Sequence, residues 1–267
     1  MLGELYKSSK GGVLHTVSPQ ELAKAEDLFL RALRGETGDG IAGDWKDLGY
    51  RMIDVDRKGR RFVVLIEEQT RQHGRGIYVF QPEAKGHIGL FMPHRFTDEL
   101  TGPIGLSMMR EHSFPVAAWN TVPRKGRGES WDFGKLPDTY FVALTKAFAK
   151  AYPKGYHVQL HGFDREKRKS DAGAGSDVIL SGGALSARKE ILVLQACLKK
   201  EGFGRVKVYP TDIRELGGTR NISGITLRSM GHHGFVHMEV SLDLRRRLKD
   251  EAEYRAALAR CLSDALR

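Results

Sequence analysis

A chain of 267 residues with 40% hydrophobic and 28% charged positions can bury a proper core, as one large α/β domain or two small ones. No apolar run approaches the roughly 18 residues of a membrane span, so no membrane-spanning segment is expected. Lysine and arginine number 43 against 33 acidic residues; the formal charge of +10 favours anionic partners without choosing between nucleic acid, an anionic envelope and an acidic substrate.

The N-terminus MLGELYKSSKGG lacks the apolar stretch of a secretory signal. A mature periplasmic or secreted chain with its signal removed would look the same, so the compartment stays open. SPQELAKAEDLFLRALRGET (18–37) predicts the first clear helix: Ser18 caps it, Pro19 suits its first turn, and Glu21 stands where a capping box needs it. Leu22, Ala25, Phe29 and Leu33 share one face. RMIDVDR, RFVVLIEE and GIYVFQ predict three strands, with DRKGRR as a hairpin turn between the first two. HIGLFMPH (87–94) predicts a fourth strand, and TDELTGPIGLSMMREH a helix interrupted at Gly102-Pro103.

From there strands alternate with helices of about a dozen residues. PVAAWNTV, YHVQLHGF, SDVILSGG, RVKVYP and GFVHMEVSL read as strands; PDTYFVALTKAFAKAY, SARKEILVLQACLKKEG and EAEYRAALARCLSDAL read as helices. This order predicts a single α/β domain with a twisted, mostly parallel (mixed) sheet and helices on both faces. Residues 1–60 are expected to add a helix and hairpin packed on a main domain over 61–267. Cys197 and Cys261 fall in helical segments and read as buried free thiols. The basic clusters DREKRKSD and LRRRLKDE carry interleaved acids, as solvated faces do. The loop GRGESWDFGK (126–135) reads equally as a lid or a plain exposed connection.

In an open α/β sheet, ligands bind outside the carboxyl ends of the strands. His94 closes one predicted strand and His161 another, followed by Gly162, which would let a ligand approach the backbone. Glu239 lies in an apolar strand where alternation sets Val236, Met238 and Val240 on one side and Phe235, His237 and Glu239 on the other. A carboxylate there is costly unless it is paired or used. Two imidazoles and one carboxylate are a common catalytic zinc set, so His94, Glu99 and His161 are candidate metal ligands, with Glu239 unligated as the general base. The histidines of GHHGFVH (His232, His233, His237) compete as ligands, or line the loop entering the last strand.

These motifs resemble the zinc carboxypeptidase-type superfamily, in particular its short members, the poly-γ-glutamate hydrolases and N-formylglutamate amidohydrolase-like proteins. PHRFTDE matches their Pro-His followed by glutamate, VQLHGF their strand ending in His-Gly, and HMEVSLDLR their strand with a catalytic glutamate and an arginine six residues on. The three motifs stand in the family's order. The resemblance covers about residues 60–267 and implies a carboxypeptidase/phosphorylase-hydrolase-like fold. It also implies one zinc ion and a hydrolase of carboxypeptidase or amidohydrolase type. Zinc-activated water, with Glu239 as base, would cleave an amide bond next to a carboxylate-bearing residue such as glutamate. Where the family has a glycine-rich stretch between histidine and acid, this chain has RFTD, so Asp98 is an alternative to Glu99. AAWNTVPR resembles the place where carboxypeptidases hold the substrate's terminal carboxylate, which makes Asn120 and Arg124 candidate substrate-binding residues. Arg245 is a third such candidate, with a solvated charge as its alternative.

The expected partner is a peptide or glutamyl-type acidic substrate. The reading from another class is a non-catalytic binding protein using its basic surface for a polyanion. No nucleic-acid motif is present, with no zinc-finger spacing, RNP-like stretch or Walker loop, so no specific nucleic acid is expected. Oligomeric state is not legible in the sequence.

Overall fold

The computed structural model describes residues 1–126 and 128–267. In chain order the elements are α1 (Leu2–Ser8), α2 (Pro19–Leu33), α3 (Asp39–Asp47), β1 (Tyr50–Arg57), β2 (Arg60–Glu67), β3 (Ile77–Phe80), β4 (Ile88–Met92), α4 (Thr101–Glu111) and β5 (Val116–Trp119). A short ribbon follows, β6 (Lys125–Gly126) and β7 (Glu129–Ser130), then α5 (Tyr140–Ala151), β8 (Tyr156–Phe163), α6 (Asp171–Ala174) and β9 (Val178–Ser181). The chain closes with α7 (Lys189–Lys200), β10 (Val206–Val208), α8 (Ile222–Ser229), β11 (Phe235–Ser241), α9 (Leu242–Asp250) and α10 (Ala252–Ala265).

Local chemistry accounts for the early elements. Ser18 Oγ accepts the Glu21 amide at 3.1 Å, and Pro19 opens α2. The Glu21 carboxylate does not close the capping box; it turns instead to the Tyr140 hydroxyl and Arg75. Between β1 and β2, Lys58 (φ 53°) and Gly59 (φ 72°) make a two-residue turn of the left-handed kind that matches strand twist. Phe29 on α2 is fully buried among Trp45, Tyr78 and Phe80, a burial that stabilises by roughly 1.5–3 kcal/mol.

The nine-stranded sheet runs β1-β2-β3-β5-β4-β8-β11-β9-β10. Its centre, β5-β4-β8-β11, is parallel throughout, while β1, β2 and β3 join by antiparallel pairing and β9 runs antiparallel to β11. One core cluster packs α4, α7, α9 and α10 on one face, and a second packs α2, α3 and α5 on the other. This is a single α/β domain with a mixed sheet covered on both faces. The N-terminal segment shares its sheet and both clusters.

Several elements depart from expectation. The helices α1, α3, α8 and α9 lie in stretches whose periodicity was too short or too charged to mark them. The Gly102-Pro103 pair does not interrupt a helix, because α4 begins only at Thr101 and the pair sits in its first turn, where proline is tolerated. Cys197 and Cys261 are not free thiols but a disulfide joining α7 to α10, since these helices pack together across a sequence separation of 64. Among the described residues, no helix is long and apolar enough to cross a membrane.

Candidate metal centre

The carboxyl ends of the adjacent parallel strands β4, β8 and β11 carry the site. Consecutive elements leave β4 on opposite sides, β5 to one and β8 to the other, so this is the crevice where such sheets bind ligands. His94 follows β4, His161 lies two residues before the end of β8, and Glu239 lies beside His161 in the register of β11. They share a cleft of about 1060 Å³.

His94, Asp98 and His161, all buried, form the one group of His, Cys, Asp or Glu side chains able to hold an ion among the described residues; one ligand atom from each lies within 4.8 Å of the others. The Asp98 Oδ2 is 3.5 Å from His94 Nδ1 and 3.1 Å from His161 Nδ1, and accepts the Gly162 amide at 3.1 Å. Both imidazoles are held from behind. His94 Nε2 bonds to Asp132 Oδ1 at 2.8 Å, and His161 Nε2 to Gln159 Oε1 at 3.0 Å. Gln159 Oε1 in turn accepts from Asn221 at 2.7 Å, and Asp132 is held by Arg124 through Nε at 3.0 Å and Nη2 at 2.7 Å. With each Nε2 donating to an oxygen, each Nδ1 presents its lone pair toward Asp98, the orientation that ligating histidines need.

Three electron-pair donors facing one another repel unless a proton or a metal cation lies among them. The titration behaviour reflects this requirement. Burial works against charge on His94, but hydrogen bonds to Asp132 and Asp98 outweigh it and raise its pKa to about 9. Burial likewise opposes the Asp98 carboxylate, yet His161 and His94 hold its pKa well below the usual range. Burial and then the neighbouring His237 ring push the pKa of His161 down. Glu239 is buried; burial works against its charge, but the hydrogen bond to His237 and the charges of His237 and His161 together lower its pKa. Its Oε1 bonds to His237 Nε2 at 3.2 Å, while its Oε2 is buried without a partner among the described residues.

The structure brings His94, His161 and Glu239 together at one end of the sheet, and the acid beside the two histidines is Asp98, not Glu99. Glu99 is exposed in the turn before α4, and only its backbone carbonyl is engaged, by Arg245. Asn120 does not reach the cleft: at 1% exposure, its amide accepts from Arg95 N and donates to the Val122 carbonyl. Arg124 reaches the cleft as the partner of Asp132 with part of its side chain exposed. Arg245 is buried rather than solvated; it donates to the Glu99 and Phe163 carbonyls. Gly162, which lines the cleft, makes room for this arginine, since a Cβ there would fall 2.3 Å from Arg245 Nη1. His232 bonds to the Tyr152 carbonyl and His233 is exposed, so neither belongs to the group.

The sequence reading missed Asp132, Gln159 and Asn221; it set His237 on the Glu239 face of the strand but gave it no role beyond a competing ligand. The loop GRGESWDFGK includes Arg127, which lies outside the described residues; its part Trp131–Phe133 is buried, and Asp132 there serves His94. Strand alternation carried a signal for two of them, because Gln159 precedes His161 and His237 precedes Glu239 by two residues on the same face.

No family model matches the sequence, and no curated protein sequence matches it. Similar solved structures include a bacteriophage poly-γ-glutamate hydrolase (12% identity, TM-score 0.43, covering 68% of this chain and 85% of that one). A protein provisionally assigned as a carboxypeptidase from Burkholderia mallei is similar at 9% identity and TM-score 0.47, over 95% of this chain and 69% of that one. Another, provisionally assigned as a metallopeptidase from Shewanella denitrificans, is similar at 14% identity and TM-score 0.40, over 91% and 92%. At these identities and TM-scores the likenesses carry no correspondence of residues.

Proposed function

We propose that the protein is a zinc-dependent hydrolase of carboxypeptidase or amidohydrolase type that cleaves an amide bond next to a carboxylate-bearing residue such as glutamate. His94, Asp98 and His161 are its metal ligands, Asp98 taking the place of Glu99, and Glu239 is its general base. The observation that carries this reading is the buried convergence of two imidazoles and a carboxylate beside a second carboxylate with one unpartnered oxygen. The donor set fits zinc: nitrogen and oxygen ligands, each imidazole backed by an acceptor, in an accessible cleft. Zinc, when bound, supplies Lewis acidity toward a carbonyl and lowers the pKa of water.

The chain's own groups do the rest. Glu239 Oε2 accepts a proton from water as its oxygen bonds to the amide carbon, and returns that proton to the nitrogen as the C–N bond breaks. The ion pair of Asp132 with Arg124, together with Gln159, keeps the two histidines aimed. Arg124, Lys135, Arg214 and Arg220 line the cleft, and the last two make no ion pair among the described residues, which suits a substrate bearing carboxylates.

Elemental analysis of the purified protein and hydrolysis of α- and γ-linked glutamyl peptides test this reading together. About one zinc per chain and cleavage are expected. Glu239→Gln should keep the metal and lose roughly two to four orders of magnitude in rate. Loss of metal in that variant would make Glu239 a ligand, and unchanged turnover would sink the mechanism. A metal-free protein with salt-sensitive polyanion binding would favour the binding-protein reading instead.

A further inference from the structure

We infer that His237 is a positioning residue for Glu239, holding it as a base and keeping it from turning onto the metal; the inference rests on the general-base role proposed above. Glu239 and His237 share one face of β11, and their partners in register on β8 are His161 and Gln159. The same device therefore appears twice, side by side. On β8 the residue two before the functional side chain, Gln159, holds His161; on β11 the residue two before, His237, holds Glu239.

Among the described residues this contact is the one hydrogen bond of the His237 ring. An ionised carboxylate only accepts hydrogen bonds, so the proton of the 3.2 Å contact sits on His237 Nε2. Its Nδ1 is then bare, buried and without a partner. His237 is also outside the group able to hold an ion. The ring is fixed from both sides: His161 packs against it with centroids 4.4 Å apart, and Gly218 closes over the other side. A Cβ at Gly218 would fall 2.7 Å from His237 Cγ, and its φ of +59° suits glycine, so the ring can lie there only because residue 218 has no side chain.

This single bond has two consequences. It engages Oε1 and leaves Oε2 as the one oxygen free to take a proton. It also ties the carboxylate to its own strand. Without it both oxygens would be buried and unpartnered, and nothing on its own strand would hold Glu239 back from the neighbouring His94–Asp98–His161 group.

The test uses His237→Leu, which removes the donor at similar volume, and His237→Gln, which keeps an N–H of comparable reach. Zinc content, crystal structures of both variants and steady-state kinetics are measured. For His237→Leu, retained zinc, an unchanged KM, a kcat lower by about 10- to 100-fold and a reoriented Glu239 side chain are expected. His237→Gln should restore both the Glu239 orientation and most of kcat. Should the leucine variant fail to fold, His237→Asn, polar but too short to reach Glu239, replaces it with the same expected outcome. An unchanged kcat with Glu239 in its parental orientation overturns the inference, and so does an equal loss in the leucine and glutamine variants. Loss of zinc would instead make His237 part of the metal site and equally overturns it. If the parent protein hydrolyses nothing, the proposed function fails, while the orientation of Glu239 in the variant crystals still decides the role of His237.

Discussion

A one-residue difference between Asp98 and Glu99 decides which acid faces the two histidines. The Asp98 amide donates to the His94 carbonyl at 2.8 Å, so residues 94–98 close one helix-like turn. On such a turn, residues four apart lie on one side, which brings Asp98 beside His94. Glu99, a further step of about 100° around the axis, is exposed at the edge of the cleft and lies outside the His94–Asp98–His161 group. The sequence offered two adjacent acids, and only this turn distinguishes them. Asp98→Asn should therefore lose bound zinc, while Glu99→Gln should keep about one equivalent. Metal analysis of the two purified variants checks this, and the reverse outcome would return the ligand to Glu99.

At the scale of elements, α9 acts as a clamp. It follows β11 without a loop and sends Arg245 back under the ends of two other segments, the turn at Glu99 and the end of β8 at Phe163. A charged run that reads as a solvated face thus carries a buried guanidinium that ties together the backbone on either side of the ligands. Its path crosses Gly162, where any side chain would collide with it. Gly162→Ala should displace the guanidinium, destabilise the fold by about 1–3 kcal/mol and weaken zinc retention, although neither residue touches the metal. Denaturant unfolding with metal analysis reads both effects. A variant as stable and as well loaded as the parent would show that Arg245 is not a clamp.

At the scale of the molecule, the helices covering one face of the sheet are cross-linked through Cys197 and Cys261. A bond across 64 residues removes loop entropy from the unfolded chain worth about 4 kcal/mol, and such bonds persist in oxidising surroundings. Reductant, or the paired replacement of Cys197 and Cys261 by alanine, should lower the thermal midpoint by roughly 10 °C. Zinc content should not change, because neither α7 nor α10 carries a site residue. Two free thiols in the unreduced protein, measured by alkylation and mass, would contradict the cross-link.

Patterns of short range were legible in the sequence alone: the alternation of strands and helices, the α2 cap, the β1–β2 turn, and the strand ends at His94, His161 and Glu239. Each depends on spacing within a few residues or on the rule that open sheets bind at their carboxyl edge. Contacts between distant segments were not legible. Asp132 reaches His94 across 38 residues, Asn221 reaches Gln159 across 62, and Arg245 reaches Glu99 across 146. Asn120 and Arg124 looked equivalent until packing enclosed the first and left the second at the cleft. The physical reason is common to all of these. Hydrophobic periodicity reports which way a side chain faces, whereas a hydrogen-bond partner is set by sheet order and loop path, which only the folded chain specifies.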